Sequence, residues 1–353
     1  MINWWMGLIL LFSLLIPSQG YAGDKLNKYL PFALKADLEW RYRLEHRHNF
    51  DFNDVKDDSD AAHLYRTRLN LKYIPVKPLH VFLQGQDARV SNLSKTAKAG
   101  FENFLDIRQL YVNYEDNIVF DPIGMNTLTL QAGRQEFSYG SQRLIGGFNW
   151  SNVAQTFDGG KVGIRIAPLY MQVDFFAGDK TLNKTPREFD DLFDGSSRER
   201  IYAYYAAAKV LNETLIENYL FHRTTWKNVS FGPSGSGEVH NFTLGGRVKK
   251  ALSNGIDFEL DTAGQWGNFN DKDVRAMMAV GILGYTMKSL KWQPRLAFEF
   301  DYASGDSNPG DGELNTFDNL YPTNHPFYGY MDFISLQNLN DYSWQLTAKP
   351  MKK

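Results

Sequence analysis

The sequence has no cysteine, no excess charge of either sign and no apolar run long enough to cross a bilayer as a helix. Without cysteine there is no disulfide framework, whatever the redox state of the compartment. A formal net charge of −2 over 353 residues argues against a nucleic-acid binder, which carries a basic excess. The longest apolar run, Trp4 to Pro17 (WWMGLILLFSLLIP), covers about 14 residues where a membrane helix needs roughly 20. Small residues follow at Gly20 and Ala22, which fits the apolar core and cleavage site of a signal peptide. The start, Met1-Ile2-Asn3, lacks the usual Lys or Arg. We expect a signal peptide at 1–22, cleaved after Ala22, and a single domain at 23–353; an uncleaved anchor is the alternative. No membrane helix is expected in the mature chain.

What the sequence does have is a period of two. Phe32, Leu34, Ala36, Leu38, Trp40, Tyr42 and Leu44 share one parity, and Lys35, Asp37, Glu39, Arg41, Arg43 and Glu45 share the other. Alternate side chains of a strand point to opposite faces, so one face is apolar and the other densely charged. A helix would mix the two sets around its circumference. The pattern recurs at His63 to Ile74, Gly160 to Ile166, Phe242 to Lys249 and Trp292 to Tyr302. Many segments reach the 9–11 residues that a tilted membrane strand requires. A mean hydropathy of −0.41 is compatible with this, because a barrel shows lipid only every second residue.

Alternation alone also fits a soluble sandwich. The connections discriminate. We read about fourteen strands whose links fall into two kinds. Tight links include Pro75-Val76-Lys77-Pro78, Ala167-Pro168-Leu169 and Leu211-Asn212-Glu213. Long polar links run from Arg47 to Ala61, Ser91 to Leu105, Phe137 to Asp158, Lys180 to Arg200, Thr224 to Glu238 and Gly305 to Tyr342. Short turns at one end and long loops at the other are the outer-membrane arrangement, with the short turns periplasmic. Lipid forces closure, since an unpaired edge leaves backbone groups without partners. The expected fold is therefore an all-β, antiparallel, up-and-down transmembrane barrel in contact with outer-membrane lipid. Trp40, Tyr42, Tyr111, Tyr114, Trp292 and Tyr302, near strand ends, suit the interfacial aromatic girdles; ordinary sheet packing is the alternative.

Several segments resemble the alginate export family. They are Gly133-Arg134-Gln135-Glu136, Tyr139 to Leu144, Phe157-Asp158-Gly159, Asp301 to Asp306 and Asn315 to Met331 (NTFDNLYPTNHPFYGYM). The resemblance implies a barrel of about eighteen strands in a Gram-negative outer membrane. It further implies a narrow, arginine-lined conduit for an anionic polysaccharide or another polar solute, and periplasmic secretion components as partners. Arg134 is the clearest positional match. Strict alternation would aim it at lipid, so we expect either a bulge at Gly133 or a place at the extracellular rim. The chain stops at Lys349-Pro350-Met351-Lys352-Lys353, like a periplasmic turn, without a terminal Phe or Trp. The expectation is a copy lacking about four strands, with a complete fourteen-strand barrel as the alternative.

The lumen parity supplies the candidate pathway: Arg41, Arg43, Arg66, Arg68, Lys72, Arg165, Arg247, Arg295, Glu299 and Asp301, to which Arg134 and Arg143 are added from the family-like stretch. Guanidinium groups match carboxylates, and rings of Arg or Lys favour anions. The alternative is that these charges pair across strands and only solvate the wall. The Phe137 to Asp158 loop, with Tyr139, Arg143, Phe148 and Trp150, would fold inward as a constriction or lie outside as a cap. An enzyme is not expected. His46 and His48 share a face but have no third ligand nearby, Gly235-Ser236-Gly237 lacks a nucleophile elbow, and Asp306 to Asp318 does not space its oxygens as an EF-hand. No cofactor, metal or nucleic acid is expected. A passive channel leads; a general or specific porin of other cargo, a rim hydrolase or adhesin, and a non-functional shortened copy are the alternatives.

Overall fold

The computed structural model describes residues 33–48, 59–93, 100–117, 125–183, 197, 199–211, 213–226, 229–230, 235–329 and 332–351. The expected signal peptide lies outside them. The strands are β1 (Leu34–Arg47), β2 (Asp60–Val76), β3 (Leu79–Ser91), β4 (Asn103–Asp116), β5 (Met125–Gln135), β6 (Phe157–Ile166), β7 (Met171–Lys180), β8 (Glu199–Val210) and β9 (Thr214–Thr225). There follow the short β10 (Val229–Ser230) and β11 (Ser236–Gly237), then β12 (Val239–Ala251), β13 (Ile256–Phe269), β14 (Lys272–Thr286), β15 (Arg295–Ala303), the short β16 (Glu313–Leu314) and β17 (Leu339–Thr347).

One sheet holds fifteen of these strands; β16 lies off its path against β14, leaving fourteen in a single antiparallel meander. β10 and β11 pair only with each other. The expected division of links is present. Pro168 opens a one-turn bend at Ala167–Leu169, and tight links join β2 to β3 and β8 to β9, whereas long loops follow β5 and β15. The link from β13 to β14 departs from the pattern: only Asn270 and Asp271 intervene at the long-loop end. Among the described residues, no helix is long and apolar enough to cross a membrane.

The sheet is inside-out relative to a soluble protein. Leu38, Trp40, Leu69, Leu130, Val162, Leu244 and Leu260 are exposed on the outer face. Arg43, Arg66, Arg68, Gln84, Gln86, Arg247, Glu259, Asp261, Glu299 and Asp301 are buried on the inner one. Such a distribution is stable only where the outer solvent is apolar. Trp40, Tyr42 and Trp292 stand exposed, as interfacial aromatics should. Tyr111 is a correction: it is opposite Phe82, which is opposite Lys72, and so belongs to the lumen face.

Among the described residues β1 pairs with β2 alone and β17 with β15 alone, so these two strands share no ladder.

Candidate functional site

The lumen is crossed by two loops. The first, between β5 and β6, buries Phe137, Leu144, Ile145, Val153 and Ala154, all apolar residues that would be costly in solvent. Phe137 packs on Phe176 of β7 at 4.2 Å between ring centres and on Phe157 at 5.3 Å. The loop thus folds inward as a constriction rather than outward as a cap. The second, between β15 and β17, buries Phe317, Tyr321 and Leu336 in the same cluster. The two are joined backbone to backbone. Gly146 N–H donates to Tyr321 O (2.9 Å), Tyr321 N–H to Leu144 O (2.9 Å) and Thr323 N–H to Gln142 O (2.9 Å).

One end of the first loop rests on guanidinium groups. Asn149 O accepts from Arg41 Nη1 and Arg66 Nη1, both at 2.8 Å. Trp150 O accepts from Arg43 Nη1 at 2.6 Å, and the Arg43 guanidinium lies 4.1 Å from the Trp150 ring centre. Ser151 O accepts from Arg41 and Arg66, each at 3.2 Å. The Asn149 side-chain oxygen accepts from Arg68 Nη1 at 2.8 Å. Arg108 of β4 joins this group through Glu136 (2.6 Å) and Gln84 (2.7 Å). Against Arg41, Arg43, Arg66, Arg68 and Arg108 stand, among the described residues, the carboxylates Glu39, Glu45 and Glu136, with Asp332 of the second loop beside Arg43. Cations therefore outnumber carboxylates here, and loop carbonyl dipoles make up part of the deficit.

The opposite wall is acidic. Glu217, Glu259, Asp261, Glu299 and Asp301 face inward from β9, β13 and β15. Arg143 crosses from the first loop to this wall, pairing with Glu299 and, at 2.9 Å, with Asp301; its guanidinium lies 3.8 Å from the Phe327 ring centre. Burial disfavours the Arg143 charge, but Tyr328, Asp301 and Glu299 outweigh it and hold the pKa above the usual arginine value. Arg247 is bound by Glu259 and Glu217, each at 2.7 Å. Tyrosines occupy further carboxylate oxygens: Tyr205 donates to Glu217 (2.6 Å), Tyr219 to Asp261 (2.9 Å) and Tyr139 to Asp174 (3.0 Å). Between loop and wall remains a cavity of about 20 Å³ lined by these groups, room for one water.

The candidate residues thus fall into three sets. Arg41, Arg43, Arg66 and Arg68 converge on one site. Arg143, Glu299 and Asp301 form a second, on the facing wall. Arg134, Arg247 and Arg295 are wall struts: Arg134 binds Asp158 at 2.7 and 2.9 Å, and Arg295 binds Asp257 at 2.6 and 2.8 Å. Lys72 and Arg165 sit near the periplasmic ends of β2 and β6, away from both clusters.

No bulge re-aims Arg134, which lies at the long-loop end of β5. It is the penultimate residue of β5 and stays in register opposite Leu110 and Asp158, with nothing inserted. Gly133 instead has φ 134°, and a Cβ there would fall on Leu110 O and 2.6 Å from Tyr111 Cα. Sequence reasoning missed Arg108. It shares the parity of Leu110 and Val112, which aims it at lipid, but the ladder slips between Gln84 and Gly85 and turns it inward. It also missed Arg223, which the second loop's Asp318 and Glu199 of β8 hold at 2.7 Å each.

An inside-out meander with short turns at one end, an ionic interior and two loops folded into it is an outer-membrane β-barrel channel. A family model, Alginate export, matches residues 32–353, and the chain belongs to that family. Among solved structures, OccK3 (OpdO) of Pseudomonas aeruginosa is similar at 11% identity and a TM-score of 0.56, over 90% of this chain and 74% of that one. OpdK of the same organism, crystallised with vanillate, aligns at 13% identity and a TM-score of 0.43, over 80% and 85%. OmpF of Salmonella typhi, in complex with daunomycin, aligns at 10% and 0.36, over 78% and 92%. No curated protein matches the sequence. The protein resides in the outer membrane, and family and fold point to transport rather than to an enzyme.

Proposed function

We propose that the channel passes an anionic polysaccharide, selected by the guanidinium cluster of Arg41, Arg43, Arg66 and Arg68. The observation that carries this is the use of the cluster: adjacent carbonyl oxygens of Asn149, Trp150 and Ser151 occupy arginines that outnumber the carboxylates beside them among the described residues. An array that binds a row of neutral oxygens binds a row of carboxylates more strongly, because charge-assisted hydrogen bonds are roughly twice as strong as neutral ones. Glu299 and Asp301, masked by Arg143, then oppose a passing anion less. Lys72 and Arg165 add positive charge on the periplasmic side. Arg134, Arg247 and Arg295 hold the wall rather than the solute. Export through a signal peptide cleaved after Ala22, and delivery of solute by periplasmic components, complete the reading.

The test is a reversal potential in planar bilayers under a salt gradient. Neutralising Arg41, Arg43, Arg66 and Arg68 to Gln should lower the preference for anions; an unchanged preference removes the conduit.

A further inference from the structure

At the long-loop end of β8, β9, β12, β13 and β14, the outer face carries three rows of side chains in register. The top row is Arg200, Thr224, His240, Asn268 and Asp273. Two residues further into the strands runs Tyr202, His222, Phe242, Trp266 and Arg275. Two further still, Tyr204, Leu220, Leu244, Gly264 and Met277 follow. Polarity therefore falls in order from the rim toward the bilayer centre: polar, aromatic, aliphatic. Long loops are extracellular, so the rows face the outer leaflet.

The aromatic row is a continuous stack. Tyr202 and His222 lie 5.9 Å apart at 19°, His222 and Phe242 4.1 Å at 5°, and Phe242 and Trp266 5.7 Å at 13°. An imidazole or indole N–H on a lipid-facing row is costly unless something pairs with it. Among the described residues, no hydrogen bond reaches either ring nitrogen of His222 or the Trp266 N–H. His240 stands diagonally above His222, the offset at which side chains still reach one another across a ladder. Its Nδ1 lies 2.8 Å from the Thr224 hydroxyl. With that hydroxyl donating, the ring hydrogen is on Nε2 and remains to be given to a ligand.

What these rows have little of is acceptors. Asp179 of β7, at the near end of the top row, takes Nε and Nη2 of Arg200, and Glu313 takes Arg275 at 2.9 Å. Asp273 is more loosely held, 4.0 Å from Arg275. Donors in surplus over acceptors suit a ligand that only accepts. On a membrane-facing surface, an acceptor-only group joined to acyl chains is the phosphate of an anionic lipid headgroup. A choline-capped headgroup would bring a cation that meets only Asp273. We propose that His222, His240, Trp266 and Asn268 bind the phosphate of an outer-leaflet lipid, whose chains lie on Leu220, Leu244 and Met277. The site continues the lipid face of the barrel, so it is open without any motion of the loops.

The experiment uses the full chain in nonionic detergent micelles, titrated with dioleoyl phosphatidic acid or dioleoyl phosphatidylcholine and read by native mass spectrometry. The parent should hold phosphatidic acid more tightly than phosphatidylcholine. H222F/H240Q should weaken phosphatidic acid about tenfold, as the loss of two hydrogen bonds does, and leave phosphatidylcholine unchanged. N268L should weaken it less, and D273N should strengthen it by removing the carboxylate that opposes the phosphate. Equal affinity of the parent for the two lipids overturns the site, as does unchanged phosphatidic acid affinity in H222F/H240Q. Where that double variant does not fold, D273N decides: affinity equal to or below the parent's overturns the site. Inorganic phosphate displacing the lipid as effectively as soluble dihexanoyl phosphatidic acid also overturns it, because the site would then take a free ion rather than a headgroup.

Discussion

Arg143 and Asp301 lie 158 residues apart in sequence and 2.9 Å apart in space, so the constricting loop is fastened to the far wall of the barrel. Removing one member of a buried pair costs about 3–5 kcal/mol, because the partner charge is left alone. Here it would leave both Glu299 and Asp301. R143Q should lower the unfolding midpoint in urea and raise single-channel conductance. Loss of stability with unaltered conductance would mean that the loop stays in place without this tie.

Deleting Ser138 to Asn149 removes the tie and part of the carbonyl row together. Conductance should rise above that of R143Q, and the anion preference should also rise, since Arg41, Arg66 and Arg68 lose their acceptors on Asn149. Conductance equal to the parent would contradict a constriction.

Acid should act on the second loop through two groups of opposite sign. His325 stacks on Trp150 at 3.7 Å, and burial, then Arg43, lower its pKa from 6.5 to about 4, with Glu45 opposing. A depressed pKa contributes stability above the unfolded value that is lost as pH falls toward 4. Asp332, also beside Arg43 and Glu45, has the opposite sign: burial raises its pKa from 3.8 to about 6, so its burial becomes unfavourable as pH rises toward 6. Between pH 6 and 4 the two signs oppose each other, and His325 Nδ1 lies 3.4 Å from Asp332 Oδ1, so acid moves charge within one contact. The emission difference between the parent and W150F should change between pH 6.5 and 4, and H325F should abolish that change.

At Gly133 the backbone itself is at stake. G133A puts a Cβ onto the Leu110 carbonyl oxygen at a φ of 134°, and should cost about 1–3 kcal/mol. The check is the temperature at which the folded barrel loses its fast migration on a detergent gel.

The lipid face offers the sharpest test of the fold. Leu244 is exposed near the middle of β12. L244R should cost about 2–4 kcal/mol in bilayers, as for arginine on the lipid side of a barrel. Equal stability of parent and variant in vesicles would place that face in water.

The strands were legible because their period is local. Leu34 to Glu45 reveals its two faces within one segment, and Arg41, Arg43, Arg66 and Arg68 follow directly onto the lumen. Arg108 was misaimed by the same rule, since one slipped register leaves no trace in the alternation. The aromatic loop residues suggested folding inward, and the strand of Glu299 and Asp301 was legible by itself, yet no local pattern joins those carboxylates to Arg143. Nor does sequence reveal that Leu144 and Tyr321, in separate loops, would bond main chain to main chain.

That last contact has a mechanical meaning. Because the two loops are stitched to each other as well as to the walls, neither can swing aside while the other remains. Traffic through the lumen then depends on an aperture with two settings, and recordings should show abrupt steps between levels rather than a gradual drift.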